Sequence, residues 1–415
     1  MVGSTNIKHT SVLVIGAGPS GAIASTLIKQ QGIDVVVLEK SHFPRFSIGE
    51  SLLPQCMEFI EQAGMLEAVR NEGFQYKDGA AFCLDSKYAT FDFQDKFSPG
   101  HGTTFQVPRG RFDHVLANEA IRQGVDIHYG YETTGMDFFP EYVELHYQTD
   151  NGDRNRITAD FVLDASGFGR VVPRLLNLES PSHLPVRSSL FTHVTDNSPG
   201  DKYDRNKILI TVHPEHKDVW YWTIPFSNGN SSIGVVAEPY LLDQTPGDNK
   251  AKLKEFIHQA PNLRKILANA EYFMDVGKLT GYSADVKSLY GDRFALLGNA
   301  GEFLDPVFSS GVTIALKSAS LAAPLVVRQI NGDSVDWEKE YSVTLRQGID
   351  TFRTFVNAWY DGHFQDIIFH PEQQSNVRAM ISSILAGYAW DANNPFVAES
   401  KRRLNALVEH CRGRH

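Results

Sequence analysis

Only three cysteines, Cys56, Cys83 and Cys411, occur in the 415-residue sequence, and none forms a C-x-x-C pair. That scarcity excludes a disulfide-stapled scaffold and a cysteine zinc framework, and it suits a reducing, cytoplasmic setting. Long apolar runs are missing too. No stretch approaches the ~18 to 20 continuous apolar residues of a bilayer span, and the opening MVGSTNIKHT lacks a secretion-signal core, so no transmembrane segment is expected. Positive charge is in deficit, with 39 Lys and Arg against 49 Asp and Glu and a formal net charge of -10. The short KRR and RGRH clusters near the C-terminus do not reverse that balance, which excludes nucleic acid as the main partner. The one close histidine pair, His213 and His216 in HPEH, sits in a polar turn without further ligands, so no metal site is expected.

What is present begins with ordinary globular content, 42% hydrophobic and 21% charged, on a chain longer than one hydrophobic core. Two domains and an appended segment are expected. Five tryptophans occur, and two of them stand in DVWYWTIPFSNG. Strand side chains alternate faces, so Trp220 and Trp222 project together while Tyr221 and Thr223 project the other way. The pair makes a double-indole wall. A well-filled core sheet accounts for the same residues, because aromatics favour strands and dominate core packing.

SVLVIGAGPSGAIASTLIKQQGIDVVVLEK predicts strand, tight turn, helix and strand, with Gly16, Gly18 and Gly21 in G-x-G-x-x-G spacing and Glu39 ending the second strand. Gly16 permits the turn, Gly18 lets a pyrophosphate approach the backbone, and Gly21 allows close helix–strand packing. The helix N-terminus offers N–H groups and positive dipole to phosphates, and Glu39 can accept from ribose hydroxyls.

VPRGRFDHVLANEAIRQG, FVLDASGFGR and YGDRFALLGNAGEFLDPVFSSGVTIALKSA follow in that order. Together they resemble the later fingerprints of FAD-containing hydroxylases related to p-hydroxybenzoate hydroxylase. The resemblance implies an α/β fold: a Rossmann-like FAD-binding domain, an antiparallel substrate sheet and a helical C-terminal segment. It assigns Arg109 to the flavin or its phosphates and Asp164 to closing the nucleotide region. Asp305 and Pro306 then belong to the loop facing the isoalloxazine and ribityl chain. Lys40, Arg45, Ser47, Ile48 and Gly49, with Gly311 and Val312, join the residues expected around FAD. The usual Gly-Asp is Gly298-Asn299 here, an uncharged acceptor, so weaker flavin affinity is expected.

FPRFSIGESLLP supplies Gly49, Glu50 and Ser51, FQYKDGAAF supplies Lys77, and the W-x-W-x-I-P strand ends in Pro225. This combination resembles the flavin-dependent halogenases from the first strand to about residue 320. The resemblance implies that Trp220, Trp222 and Pro225 separate flavin from substrate. It further implies that reduced FAD and O2 form a C4a-hydroperoxide, that chloride or bromide attacks it, and that Lys77 receives the hypohalous acid. An amine suits that task because it can donate to the oxidant or, once deprotonated, attack it. A surface turn lysine also fits the segment. Ser309, Ser310 and Gly311 open a helix whose N–H groups suit a halide, although a plain serine cap accounts for them equally.

Halogenases of free tryptophan carry a glutamate where Phe308 stands, so the chain looks closer to members acting on phenols, pyrroles or carrier-bound acyl groups. No second dinucleotide motif follows, which implies a separate flavin reductase as partner and an aromatic small molecule or a carrier-protein-bound group as substrate. The aromatic stripe near Trp359, Tyr360 and Phe364 fits either a helix core or a substrate roof, with Asp361 or His363 available as a base. Expected segments are FAD-binding parts at 1–85, 106–178 and 281–332, substrate-domain parts at 86–105 and 179–280, and helices at 333–415. A hydroxylase, dehydrogenase or reductase on the same scaffold, and a non-catalytic flavoprotein, are the competing readings.

Overall fold

The computed structural model describes residues 8–198, 203–371 and 374–413. The first seven residues and the last two, on which the leader and part of the RGRH readings fall, lie outside the described residues. The apolar runs SVLVI, VVVLE and FVLD become the centre of an eight-stranded sheet. In it Phe294–Leu296, Arg154–Asp164, Lys8–Ile15, Val35–Glu39 and Asp126–Tyr129 run parallel in that order. Strand Val35–Glu39 is buried throughout, as a parallel strand covered on both faces requires. Helices Pro19–Gln30 and Ser310–Ile330 pack against each other beside this sheet. The fold is the α/β type expected, with a helical C-terminal region.

A second eight-stranded sheet carries the tryptophan strand Trp220–Pro225 between Lys207–Val212 and Asn230–Ala237. It is antiparallel except where Lys207–Val212 runs parallel to Gly79–Leu84. Gly79–Leu84 and Lys87–Asp92 form a hairpin turned at Asp85, whose φ is 52°. The chain therefore enters this sheet at residue 79, not at 86, because a tight hairpin cannot be divided between two sheets. A separate two-stranded ribbon, Gln75–Lys77 with Thr104–Gln106, holds Lys77 opposite Thr104.

Among the described residues one helix, Ser310–Ile330, is long and apolar enough to cross a membrane, with mean hydropathy 1.5 over its most apolar window. Alanines and aliphatics raise this mean, while Lys317 and the serines keep the stretch from being a continuous apolar run. Of that window 61% is buried inside the protein, as a core helix would be. Helix Thr344–Tyr360 buries a full apolar face, including Phe352, Phe355 and Trp359.

Candidate flavin site

Gly16 has φ +97°, and a Cβ there would lie 2.7 Å from the carbonyl oxygen of Ala165. Gly21 is closer packed still, since its Cβ would meet the carbonyl of Gly16 at 1.9 Å. Gly18 differs: the nearest atom to its added Cβ is Arg45 Nη2 at 3.5 Å, an ordinary contact. The space over Gly18 is therefore reserved for something other than protein. Two outcomes should separate these roles. Gly18→Ala is expected to keep the melting temperature but lose FAD binding by absorbance, whereas Gly21→Ala should lower the melting temperature itself. A Gly18→Ala protein that loads FAD normally would remove the pyrophosphate assignment.

Gly16 and Gly18 open onto a cavity of about 690 Å³ that also reaches Trp220 and Trp222. Glu39, 5% exposed, lines it and is preset by the backbone: Oε2 accepts from Ala17 N at 2.8 Å and Oε1 from Ser41 N at 2.9 Å. Lys40, Arg45, Ser47, Ile48, Gly49 and Arg109 line the same cavity, as do Asn299, Pro306, Ser309, Gly311 and Val312 on the opposite loop. The other expected residues stand behind this lining. Gly21 packs the turn. Asp164 is fully buried, with Oδ1 accepting from Ser166 N at 2.9 Å and Oδ2 from Val172 N at 2.7 Å, so it closes the turn after its strand. Gly298, at φ +52°, donates to Ser318 Oγ at 2.9 Å, and Ser310 and Asp305 are each 2% exposed. Pro225 ends the tryptophan strand beside Ser231.

The motifs left unmarked a residue that organises several of these. Asp113, fully buried, accepts from Arg109 Nε at 2.8 Å and from Arg45 Nη1 at 3.1 Å. One carboxylate thus sets two guanidinium groups at the cavity, and its only trace in the sequence is the i, i+4 spacing Arg109/Asp113 on one helix face.

The tryptophans share a face as the alternation requires: Trp220 and Trp222, with ring centres 6.0 Å apart, belong to one core, while Tyr221 packs into the core on the other side of the sheet. The indole of Trp222 lies flat over Gly234 of the neighbouring strand, where a Cβ would stand 2.3 Å from the ring. Its Nε1 donates to Ser232 Oγ at 3.1 Å.

Lys77 is enclosed rather than exposed, at 0%. Its Nζ donates to Ser51 Oγ at 2.8 Å and to the Leu52 carbonyl at 2.7 Å, and lies 5.4 Å from the ring centre of Phe93. Burial, partly offset by Cys56, brings its pKa well below the ordinary lysine value, to about 7. Lys77 does not line the cavity; Ser51 does, so this one hydroxyl stands between the cavity and the amine. The surface-lysine alternative is thereby set aside.

Phe308 is buried, edge-on to Trp359 and Phe364, which makes these rings core. The His213 ring accepts at Nδ1 from Glu215 N and His216 N, each at 3.1 Å, and pairs through Nε2 with Gln259, a turn-holding role. Among the described residues one group, Asp137, Glu144 and His146, could hold a cation; it lies away from this cavity, and Arg156 already pairs with Glu144 at 3.2 Å.

The donors present fit FAD. Beyond the open cradle at Gly18 and the preset Glu39, Tyr282 lines the cavity with a buried hydroxyl that has no protein partner.

Comparison with known proteins agrees. The FAD binding domain family matches residues 9–338. A solved structure described as a flavoprotein/dehydrogenase from Cytophaga hutchinsonii is 44% identical, with TM-score 0.95 over 98% of this chain and 99% of that one. The 1H-pyrrole-2-carbonyl-[peptidyl-carrier protein] chlorinase of Pseudomonas fluorescens is 28% identical, over 96% of this chain and 93% of its own. The flavin-dependent halogenase armH3 of Armillaria mellea is 30% identical, over 79% of this chain and 69% of its own. By the family match over residues 9–338 and the likeness to armH3, the chain belongs to the FAD binding domain family and, within it, to the flavin-dependent halogenases, which makes it an FAD-dependent oxidoreductase.

Proposed function

We propose that the protein halogenates an electron-rich aromatic substrate, free or carrier-bound, using O2, chloride or bromide, and FADH2 delivered by a separate flavin reductase in the cytoplasm. The observation that carries this reading is Lys77: a fully buried amine with pKa about 7, one hydroxyl away from the cavity that the tryptophans wall. Gly16, Gly18, Glu39, Arg45 and Arg109 would hold the cofactor on one side, with Asn299, Pro306 and Val312 on the other. When bound and reduced, FAD supplies with O2 the two-electron oxidation of halide to hypohalous acid.

The chain's own groups do the rest. Ser309 and Gly311 offer the halide its place at the start of helix Ser310–Ile330. Trp220 and Trp222 keep organic substrate from the flavin. At neutral pH a large fraction of Lys77 is uncharged, so its lone pair can take the halogen of hypohalous acid, releasing water and leaving a haloamine. Transfer of that halogen to an aromatic carbon, with the ring proton lost, restores the amine. Lys77 being enclosed, this delivery requires the packing beside Phe93 to open toward substrate. The division into FAD-binding, substrate-sheet and helical C-terminal parts is proposed with it, the substrate sheet beginning at residue 79.

A dehydrogenase or hydroxylase is the second reading. It is favoured by Ile208, Ile224 and the two indoles facing the same cavity as the cofactor loops, and by the likeness to the Cytophaga flavoprotein/dehydrogenase. The deciding experiment incubates FAD-loaded protein with a flavin reductase, NADH, O2 and a panel of phenols and pyrroles, with and without bromide or chloride. Halide-dependent halogenated mass supports the proposal. Hydroxylated product, or flavin reduction by substrate without halide, moves the assignment to the second reading.

A further inference from the structure

Tyr360 ends helix Thr344–Tyr360 and touches two parts of the site at once. Its hydroxyl donates to Asp305 Oδ2 at 2.7 Å and accepts from Trp220 Nε1 at 3.2 Å. The guanidinium of Arg187 covers its ring, 4.3 Å from the ring centre, and Arg187 is held in turn by Asp218 at 2.7 Å and Glu238 at 3.6 Å. Asp305 uses its other oxygen to fix its own turn, Oδ1 accepting from Val307 N at 3.0 Å. That turn runs directly into Pro306, Ser309 and Gly311, which line the cavity, and Trp220 is half of its indole wall. One phenol therefore joins the wall to the cofactor loop.

We propose that Tyr360 is a positioning residue that holds the loop from Asp305 to Gly311 against Trp220 in the arrangement that grips FAD. The inference rests on this loop facing the flavin, which a substitution of Asp305 tests separately. Two features of the loop call for such an anchor. Ser309 sits in the left-handed region, φ +56°, a conformation that persists only where the surroundings impose it. The loop carboxylate is also costly to keep ionised: burial pushes Asp305 up to about 6, while donation from Tyr360, the Val307 N–H and the charge of Arg187 act against that rise. The remaining titratable group facing it is Tyr282, whose hydroxyl is pushed up by burial first and by that negative charge second. Ionised Asp305 accepts the stronger bond from Tyr360, so protonation loosens the anchor.

The test titrates FAD into full-length apoprotein by flavin fluorescence between about pH 5 and about pH 8, for wild type, Tyr360→Phe and Asp305→Asn, with a thermal melt of each. Wild-type affinity should fall as pH drops through the Asp305 titration. Tyr360→Phe should bind FAD about tenfold more weakly at about pH 7, the size expected for losing a hydrogen bond to a charged group. Its pH midpoint should move upward, because the donor that favours the ionised carboxyl is gone; mere loss of packing would not move it. Asp305→Asn should flatten the pH profile. If Tyr360→Phe melts early, Asp305→Asn decides, since it keeps the loop's size and must still erase the pH step. The proposal is overturned if Tyr360→Phe keeps wild-type affinity and midpoint while Asp305→Asn changes them. It is equally overturned if Asp305→Asn leaves both unchanged, which would show that the loop does not face FAD.

Discussion

Lys77→Met is expected to eliminate halogenated product while FAD binding stays intact, and to make the protein more stable at low pH than at high pH relative to wild type. The first half follows from the role proposed for the amine, acceptor of the halogen. The second follows from burial. In the folded chain the charged amine is disfavoured, with pKa about 7 against the ~10.4 of a free lysine side chain. Below about pH 7 the amine is protonated in both folded and unfolded chains, and the full cost of burying charge, on the order of 4 kcal/mol, falls on the folded state. As pH rises from there toward 10 the unfolded chain holds the extra proton, so wild-type stability climbs.

Methionine lacks that slope. It also leaves Ser51 and the Leu52 carbonyl without their donor, a loss of about 1 to 3 kcal/mol that does not depend on pH. At about pH 6 removal of the charge wins and the melting temperature should rise; at about pH 9 the lost bonds should cancel or reverse the gain. Product mass spectrometry and melts at the two pH values check both halves. Undiminished halogenation would remove Lys77 from the chemistry, and a melting difference independent of pH would show that its burial costs nothing.

Trp222→Ala should change the reaction type rather than only its rate. With the indole gone, substrate can approach the oxidant at the flavin, so the ratio of hydroxylated to halogenated product, or of uncoupled peroxide to product, should rise several-fold. The truncation carries a cavity cost of roughly 3 to 5 kcal/mol, so a melt must first establish that the variant is folded. Trp222→Phe keeps most of the wall and should retain the wild-type ratio. A flat ratio in both folded variants at saturating halide would reduce the double indole to packing.

The parts of this site that the sequence displays are those whose cause is local. Gly16 and Gly21 announce themselves because the turn takes Gly16 to positive φ and sets its carbonyl where a Cβ on Gly21 would stand, and Trp220 and Trp222 because strand alternation alone puts them on one face. Lys77 was marked by its motif, but its enclosure was not, since that depends on Ser51, Leu52 and Phe93 converging from two other segments. Asp113 escapes for the same reason, and Tyr360 shows only as one ring of an aromatic stripe, without its partners. Tyr360 meets Trp220 across 140 positions and Asp305 across 55, separations at which no spacing rule operates. The start of helix Ser310–Ile330 is legible at Ser309, Ser310 and Gly311, whereas its mean hydropathy is not, because Lys317 and the serines break any continuous apolar run. The expected segment boundary at 85/86 lies beyond strand Gly79–Leu84, whose partner in the second sheet, Lys207–Val212, is far along the chain.

The shape of the cavity that Trp220 and Trp222 wall is set partly from outside it. Trp222 rests on Gly234, where the missing side chain is the space the indole occupies, and Gly234 itself does not face the cavity. A single added methyl at that position would lift the ring and narrow the chamber without altering any residue that lines it. The neighbouring strand thus works as a shim under the wall, and the room in the cavity can be tuned from strand Asn230–Ala237, leaving the lining residues themselves untouched.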